Sequence, residues 1–269
     1  MKKILSICLV AMLALVLFAL PVCAESDVPY AYVTIVDENG KIVLASQYVT
    51  LPEFDMSIDA VLAEAHRVYA DEAHGYTSVD SQWGRSMTKL WGVENGGSYG
   101  YYVNNASPSS LLDPVKTGDH IYAFVYTDTM NFSDTFSYFD EHHLYNLEKG
   151  DEVTLTLMKM SFDENWMPVS LPVADAIITV NGKATEVKTD DSGKATIALD
   201  DAGELVISAV KEGENLTPAV CVANVNGLSN AMIYTMLGVV AFIIVLVLGV
   251  VIGIIFYVTK VSGKNKDEE

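Results

Sequence analysis

Gly96-Gly97-Ser98-Tyr99-Gly100 carries the letters G-x-S-x-G, the spacing that exposes a serine nucleophile beside an oxyanion hole. That chemistry needs a strand before the serine and a helix after it, whereas Tyr101-Tyr102-Val103 follow here and favour a strand. The stretch reads instead as a flexible Gly/Ser loop. Asp140-Glu141-His142-His143 offers two carboxylates and two imidazoles, a donor set suited to a metal ion. Adjacent strand residues point to opposite faces, so the two imidazoles could chelate together only if the backbone turned. A solvated charged corner is the expectation. The Asp-rich stretches at Asp190 and Asp200 lack calcium-loop spacing and read as turns. No H-E-x-x-H, phosphate-binding loop, dinucleotide fingerprint or cell-wall sorting motif occurs in the sequence. The expectation is a non-enzymatic protein with no catalytic residue, no metal ligand and no cofactor.

Recognition chemistry is better represented. Trp83, Trp91, Tyr99, Tyr101, Tyr102 and Tyr122 form a dense aromatic set around the loop that begins at Asn104-Asn105. Aromatic faces stack on planar ligands, and Asn104, Asn105 and Ser107 would supply directed hydrogen bonds. The same rings also suit a small β-rich core, and half or more of them are expected there. The candidate ligand-binding residues are Trp91, Tyr99, Tyr101, Tyr102, Asn104, Asn105 and Ser107.

Several elements must position them. Tyr30 to Val36 is rich in strand formers, Asp37-Glu38-Asn39-Gly40 is a turn, and Lys41 to Leu51 returns. Ile58, Val61, Leu62, Ala65 and Tyr69 then share one helical face, with Asp55 or Ser57 as cap and Gly75 beyond the end. His66 falls towards the polar side as a solvated residue. Residues 76–97 read as short irregular pieces. From His120 to Tyr126, Ile121, Ala123 and Val125 alternate with ring-bearing residues, giving a strand with two unlike faces. Hairpin, helix and further strands make an α+β order, one helix laid across a mixed sheet.

Residues 127–146 read as an acidic, aromatic connection into a second domain. There Val153, Leu155 and Leu157 alternate, as do Ile178 and Val180, Ile197 and Leu199, Leu205 and Ile207. Asn181-Gly182, Asp190 to Gly193 and Asp200 to Gly203 supply turns between them. Short strands without a helical period argue a β-sandwich.

The ends bear on the compartment. Lys2 and Lys3, an apolar run and Val22-Cys23-Ala24 form a signal peptide over residues 1–24, cleaved after Ala24. Cys23 also raises a lipoprotein site, against which the branched Val22 counts. Residues 232–259 form a membrane-spanning helix with uncharged Met232 to Val258 inside it, and the Lys-bearing tail 260–269 is placed in the cytoplasm. From Glu25 to Ala231 there are 11 Lys and Arg against 32 Asp and Glu, a net of −21. Such a surface repels nucleic acid, which is not an expected partner. Once the leader is gone Cys221 stands alone, so an internal disulfide framework is not expected, and a buried strand position is.

Leu90-Trp91-Gly92-Val93-Glu94-Asn95-Gly96-Gly97, Gly100-Tyr101-Tyr102-Val103-Asn104-Asn105 and Val115-Lys116-Thr117-Gly118-Asp119-His120-Ile121 resemble the transcobalamin C-terminal-like family, a domain also found in bacterial surface proteins. The likeness spans about Tyr30 to Asp128. It implies a β-grasp-like fold over residues 28–128 and a corrinoid as candidate ligand. The family pattern has Trp in the strand before a V-N-G turn. Here Tyr101 and Tyr102 occupy that region and Asn105 replaces the glycine, which asparagine can do because it tolerates positive φ. In the vitamin carriers of that family this domain closes over its ligand beside a large helical domain, for which no counterpart is expected in this sequence. Residues 129–226 are similar to the Ig-like or transthyretin-like modules of such surface proteins. Together these readings predict a single-pass protein of the cell membrane, its β domains outside, binding a corrinoid or another flat small ligand. The alternative is an adhesion or assembly protein that meets a surface protein or a glycan.

Overall fold

The computed structural model describes residues 28–51, 55–227 and 230–264. The expected signal peptide, with Cys8 and Cys23, lies outside the described residues, as do residues 265–269 of the tail. The described fold is mostly β, with one long apolar helix at its C-terminal end.

Strands β1 (Tyr30–Val36) and β2 (Ile42–Thr50) form the first hairpin. Its turn is tied by Asp37, whose Oδ1 accepts the N–H groups of Asn39 and Lys41 at 2.9 Å each. Helix α1 (Ile58–Tyr69) follows, and Ser57 caps it by accepting the Ala60 N–H at 3.2 Å. Residues 76–97, expected to be irregular, instead hold a second hairpin, β3 (Thr77–Ser81) and β4 (Gly84–Lys89). Largely polar, it buries only Met87, too little to show a period. Strands β5 (Tyr99–Val103) and β6 (His120–Val125) complete a mixed sheet ordered β2-β1-β6-β5, in which β1 and β6 run parallel.

This sheet is covered on both faces. Ala31, Val33, Ile35, Ile121, Ala123 and Val125 meet Ile58, Val61, Leu62 and Ala65 of α1 in one core. The opposite face presents Val36, Tyr122 and Phe124 to Phe136, Val220 and Val222 of the second unit. Every residue of β6 is therefore buried.

The second unit contains β7 (Ser137–Phe139), β8 (His143–Glu148), β9 (Glu152–Phe162), β10 (Pro168–Pro172), β11 (Ile177–Val180), β12 (Lys183–Lys188), β13 (Lys194–Ala198), β14 (Gly203–Val210) and β15 (Cys221–Asn226). One sheet is ordered β10-β9-β13 with β7 also on β9; the other is β12-β11-β14-β15-β8. Leu155, Leu157 and Ile197 from the first meet Ile178, Ile207 and Cys221 from the second, so two sheets enclose one core. Helix α2 (Asn230–Lys264) carries a stretch of 24 residues, Tyr234–Tyr257, with a mean hydropathy of 3.4. At ~1.5 Å per residue that stretch is long and apolar enough to cross a bilayer.

Candidate functional site

Beside β5 lies an open cleft of about 600 Å³, walled by β4, the Glu94–Gly97 loop and β5 itself. Strand alternation decides which rings reach it. Tyr99, Tyr101 and Val103 project to the α1 side of the sheet, Tyr102 to the other. Tyr99, Tyr101, Met87 and Leu111 line the cleft, with Met87 and Leu111 buried.

The Tyr99 hydroxyl is committed to the fold. It lies 2.8 Å from the carbonyl oxygens of both Thr88 and Val93, donating to one at a time, and accepts the Asn95 N–H at 3.2 Å. Tyr101 is the freer ring. Burial, and then the nearby Asp113 carboxylate, push its hydroxyl pKa up, so it stays neutral and able to donate. The charges at the rim are already paired: Arg85 Nε donates to Asp59 Oδ2 at 2.9 Å, and Lys89 meets Glu94 at 2.7 Å. The hollow is thus mixed: two tyrosine rings, Met87 and Leu111 stand beside Ser86, Thr88 and two paired charges, a lining that can stack on a flat ligand bearing polar groups at its edge.

The wall is held by groups that the pattern of the sequence did not reveal. Asp59, nearly buried on α1, accepts the Tyr76 hydroxyl at 2.6 Å as well as Arg85, which also reaches Asp80 at 3.1 Å. Residues 17 and 26 positions from Asp59 thus pin the β3–β4 hairpin to the helix.

His66, expected in solvent, is buried. It lies four residues after Leu62 on the flank of the apolar stripe, where Tyr76 and Trp91 cover it. Its Nδ1 donates to the Leu62 carbonyl at 2.6 Å, leaving Nε2 to accept the Trp91 N–H at 3.2 Å. Burial holds its pKa below the ordinary histidine value. Trp91 has φ 49° and is followed by Gly92 at φ 81°, where a Cβ would collide with the Ala73 carbonyl oxygen.

The structure gathers only Tyr99 and Tyr101 of the expected ligand-binding residues into this cleft. Trp91 lines a separate hollow with His74 and Val43. Tyr102 turns away and stacks on Phe136, ring centroids 3.7 Å apart, and burial pushes its hydroxyl pKa up to about 12. Asn104 is used by the turn, accepting the His120 N–H at 2.9 Å and donating to Asp119 at 2.8 Å. Asn105 takes the positive φ expected of it, 64°. Ser107 is exposed in the loop beyond.

In the G-x-S-x-G stretch, Ser98 is fastened to Asn95 through its N–H and carbonyl at 3.1 Å each, and strand β5 follows instead of a helix. A Cβ at Gly100 would overlap the Phe124 ring, which explains the last glycine of that pattern. Asp140 and Glu141 are exposed, but His142 and His143 are not the solvated corner that was expected. The chain bends before β8, and both rings pack against Tyr32 of the first unit, at 5.8 Å and 4.9 Å. Among the described residues no group of three or more His, Cys, Asp or Glu side chains is arranged to hold a metal ion. The chain matches no known protein family and no curated protein.

Proposed function

We propose that this is a membrane-anchored cell-surface binding protein whose first unit takes a flat small ligand, a corrinoid being the candidate, in the cleft beside β5. The observation that carries this reading is the half-buried Tyr99–Tyr101 wall above buried Met87 and Leu111, in a hollow of about 600 Å³. Small-molecule sites are concavities of ~300–1,000 Å³, and this one falls within that range. An open cleft of this kind covers one face or edge of a macrocycle.

The strand order β2-β1-β6-β5 with α1 across one face supports the β-grasp-like assignment that the resemblance to the transcobalamin C-terminal-like family implies. The two-sheet unit is the Ig-like spacer in this reading, and the lysines at 260, 264 and 266 favour a cytoplasmic C-terminus. An adhesive role is the second reading. It is favoured by Trp166, 82% exposed at φ 59° on the β9–β10 turn beside Phe162 and Met167.

The test is a titration of the full chain in lipid nanodiscs with cobalamin and with cobinamide, followed by corrin absorbance and tryptophan fluorescence. Saturable binding is expected, weakened at least tenfold by Tyr101→Ala. No saturable change at micromolar protein removes the corrinoid and leaves the adhesive reading. Unaltered affinity in Tyr101→Ala moves the site elsewhere.

A further inference from the structure

Three imidazoles meet where the first unit rests on the second. His120 comes from β6; His143 opens β8 and His142 lies in the bend just before it. The rings of His120 and His142 lie face to face, 4.5 Å between centroids and 7° from parallel. His143 stacks on Tyr145 at 4.5 Å and packs against Tyr32 of β1, and the Tyr32 and Tyr145 hydroxyls bond each other across the seam.

We propose that this seam is an acid-sensitive latch, closed while the three imidazoles are neutral and released when they take up protons.

One of the hydrogen bonds selects a neutral ring. Asn224 Nδ2 donates to His143 Nε2 at 3.2 Å, so that nitrogen carries no proton, and Nδ1 faces Ser46 Oγ of β2 at 3.4 Å. His120 Nε2 lies 2.9 Å from Thr34 Oγ1, which already accepts the Ser46 N–H at 3.0 Å. A flip of the Asn224 amide would accommodate one imidazolium, but not the repulsion among three. The titratable neighbours offer little compensation. From the first unit Tyr32 and Tyr122 face the cluster, and burial pushes the Tyr32 hydroxyl up to about 12. From the second come Tyr145 and the exposed carboxylates of Asp140 and Glu141, of which Glu141 favours a charged His142. At the seam's edge Glu204 is engaged by Gln47 at 3.3 Å. No Lys or Arg forms a hydrogen bond or ion pair with these rings among the described residues.

Burial, followed by the charges of the other two histidines, lowers the His120 pKa to about 3, and burial lowers His143 to about 4 and His142 in the same direction. A depressed histidine pKa stabilises the closed seam fully above the free value of ~6.5, and that contribution is lost as pH falls towards the closed-state values. Between the free value and the closed-state values of His120 and His143 each of those two rings weakens closure by up to about tenfold per pH unit, on the order of a hundredfold per unit for the pair, and His142 adds in the same direction. The proton-driven loss of closure thus sets in below pH ~6.5, before the ordinary carboxylate range is reached, and works against the apolar contact of Val36, Tyr122 and Phe124.

The experiment measures spin-label distances in the full chain carrying Cys8→Ser and Cys23→Ser, in nanodiscs, with labels at Glu72→Cys on the first unit and Glu186→Cys on the second. Both positions are exposed, and Cys221 is buried. One narrow distribution is expected at pH 7–8, broadening to longer distances between pH 6.5 and 5. A His120→Gln/His142→Gln/His143→Gln variant should stay narrow to pH 5. Should that triple variant lose its near-ultraviolet circular dichroism at neutral pH, His142→Gln/His143→Gln, at half-buried positions, should lower the midpoint by at least half a pH unit. A wild-type distribution unchanged down to pH 5 overturns the latch. So does an acid transition with the same midpoint in the folded histidine variants.

Discussion

An alanine at position 100 would put its methyl group against the Phe124 ring, with three ring atoms within 3.0 Å. Real Cβ atoms do not approach so closely, so ring or strand must move. The ring has little freedom: it is 1% exposed, with Tyr126 at 5.0 Å, Tyr122 at 6.1 Å and Tyr102 at 6.5 Å between centroids. The strand is fixed by its pairing with β6, where Gly100 lies opposite Phe124 itself. Overpacking of this kind costs about 1–3 kcal/mol, and with both partners pinned the upper half of that range applies. At ~2–4 °C per kcal/mol for the two packed units together, Gly100→Ala should lower the melting temperature by about 4–12 °C. The assay is thermal unfolding of the full chain in nanodiscs, read by tryptophan fluorescence and repeated in a double-mutant cycle with Phe124→Leu. Leucine removes the ring that the methyl strikes, so the pair should be less damaging than the sum of the singles by at least 1 kcal/mol. A melting temperature within 1 °C of the parent, or strict additivity, would refute the argument.

Two further perturbations probe other parts of the molecule. Asp59→Ala removes the shared acceptor of the Arg85 guanidinium and the Tyr76 hydroxyl, and because Arg85 is part-exposed and keeps Asp80 it should cost about 1–3 kcal/mol, measured by urea unfolding, with faster proteolysis of the β3–β4 hairpin. An effect under 1 kcal/mol would mean that water replaces the carboxylate. Val245→Arg, near the middle of the Tyr234–Tyr257 stretch, adds about 2.5–3.5 kcal/mol to insertion and should shift the protein towards the alkali-extractable fraction. Full retention in the membrane pellet would count against this helix as the anchor.

Local signals are legible in the sequence where one residue's surroundings lie close by in the chain. The first turn, the Ser57 cap and the buried stripe Ile58, Val61, Leu62 and Ala65 all follow that rule. Tyr69, assigned to the same stripe, is exposed, and its hydroxyl reaches the Tyr48 carbonyl at 2.6 Å. His66 could have been read from its place four residues beyond Leu62. The Asp59–Arg85–Tyr76 cluster could not, because no spacing rule joins charges that far apart. The same limit hid the covering of β6. Its alternation was visible, but a period of two says only that the faces differ, not that Phe136 and Val222 lie on the second one. Tyr102 went astray for that reason, sharing a strand with Tyr101 but facing the other way.

The wall formed by Val36, Tyr122 and Phe124 also governs how the protein can be dissected. A fragment ended at Asp128 would keep its helix-side interior yet leave that wall in water, a greasy plate suited to sticking to its own copies. Anyone transplanting the front portion as a free-standing cassette should carry the β7 and β15 segments with it, or recast those three residues as hydrophilic ones.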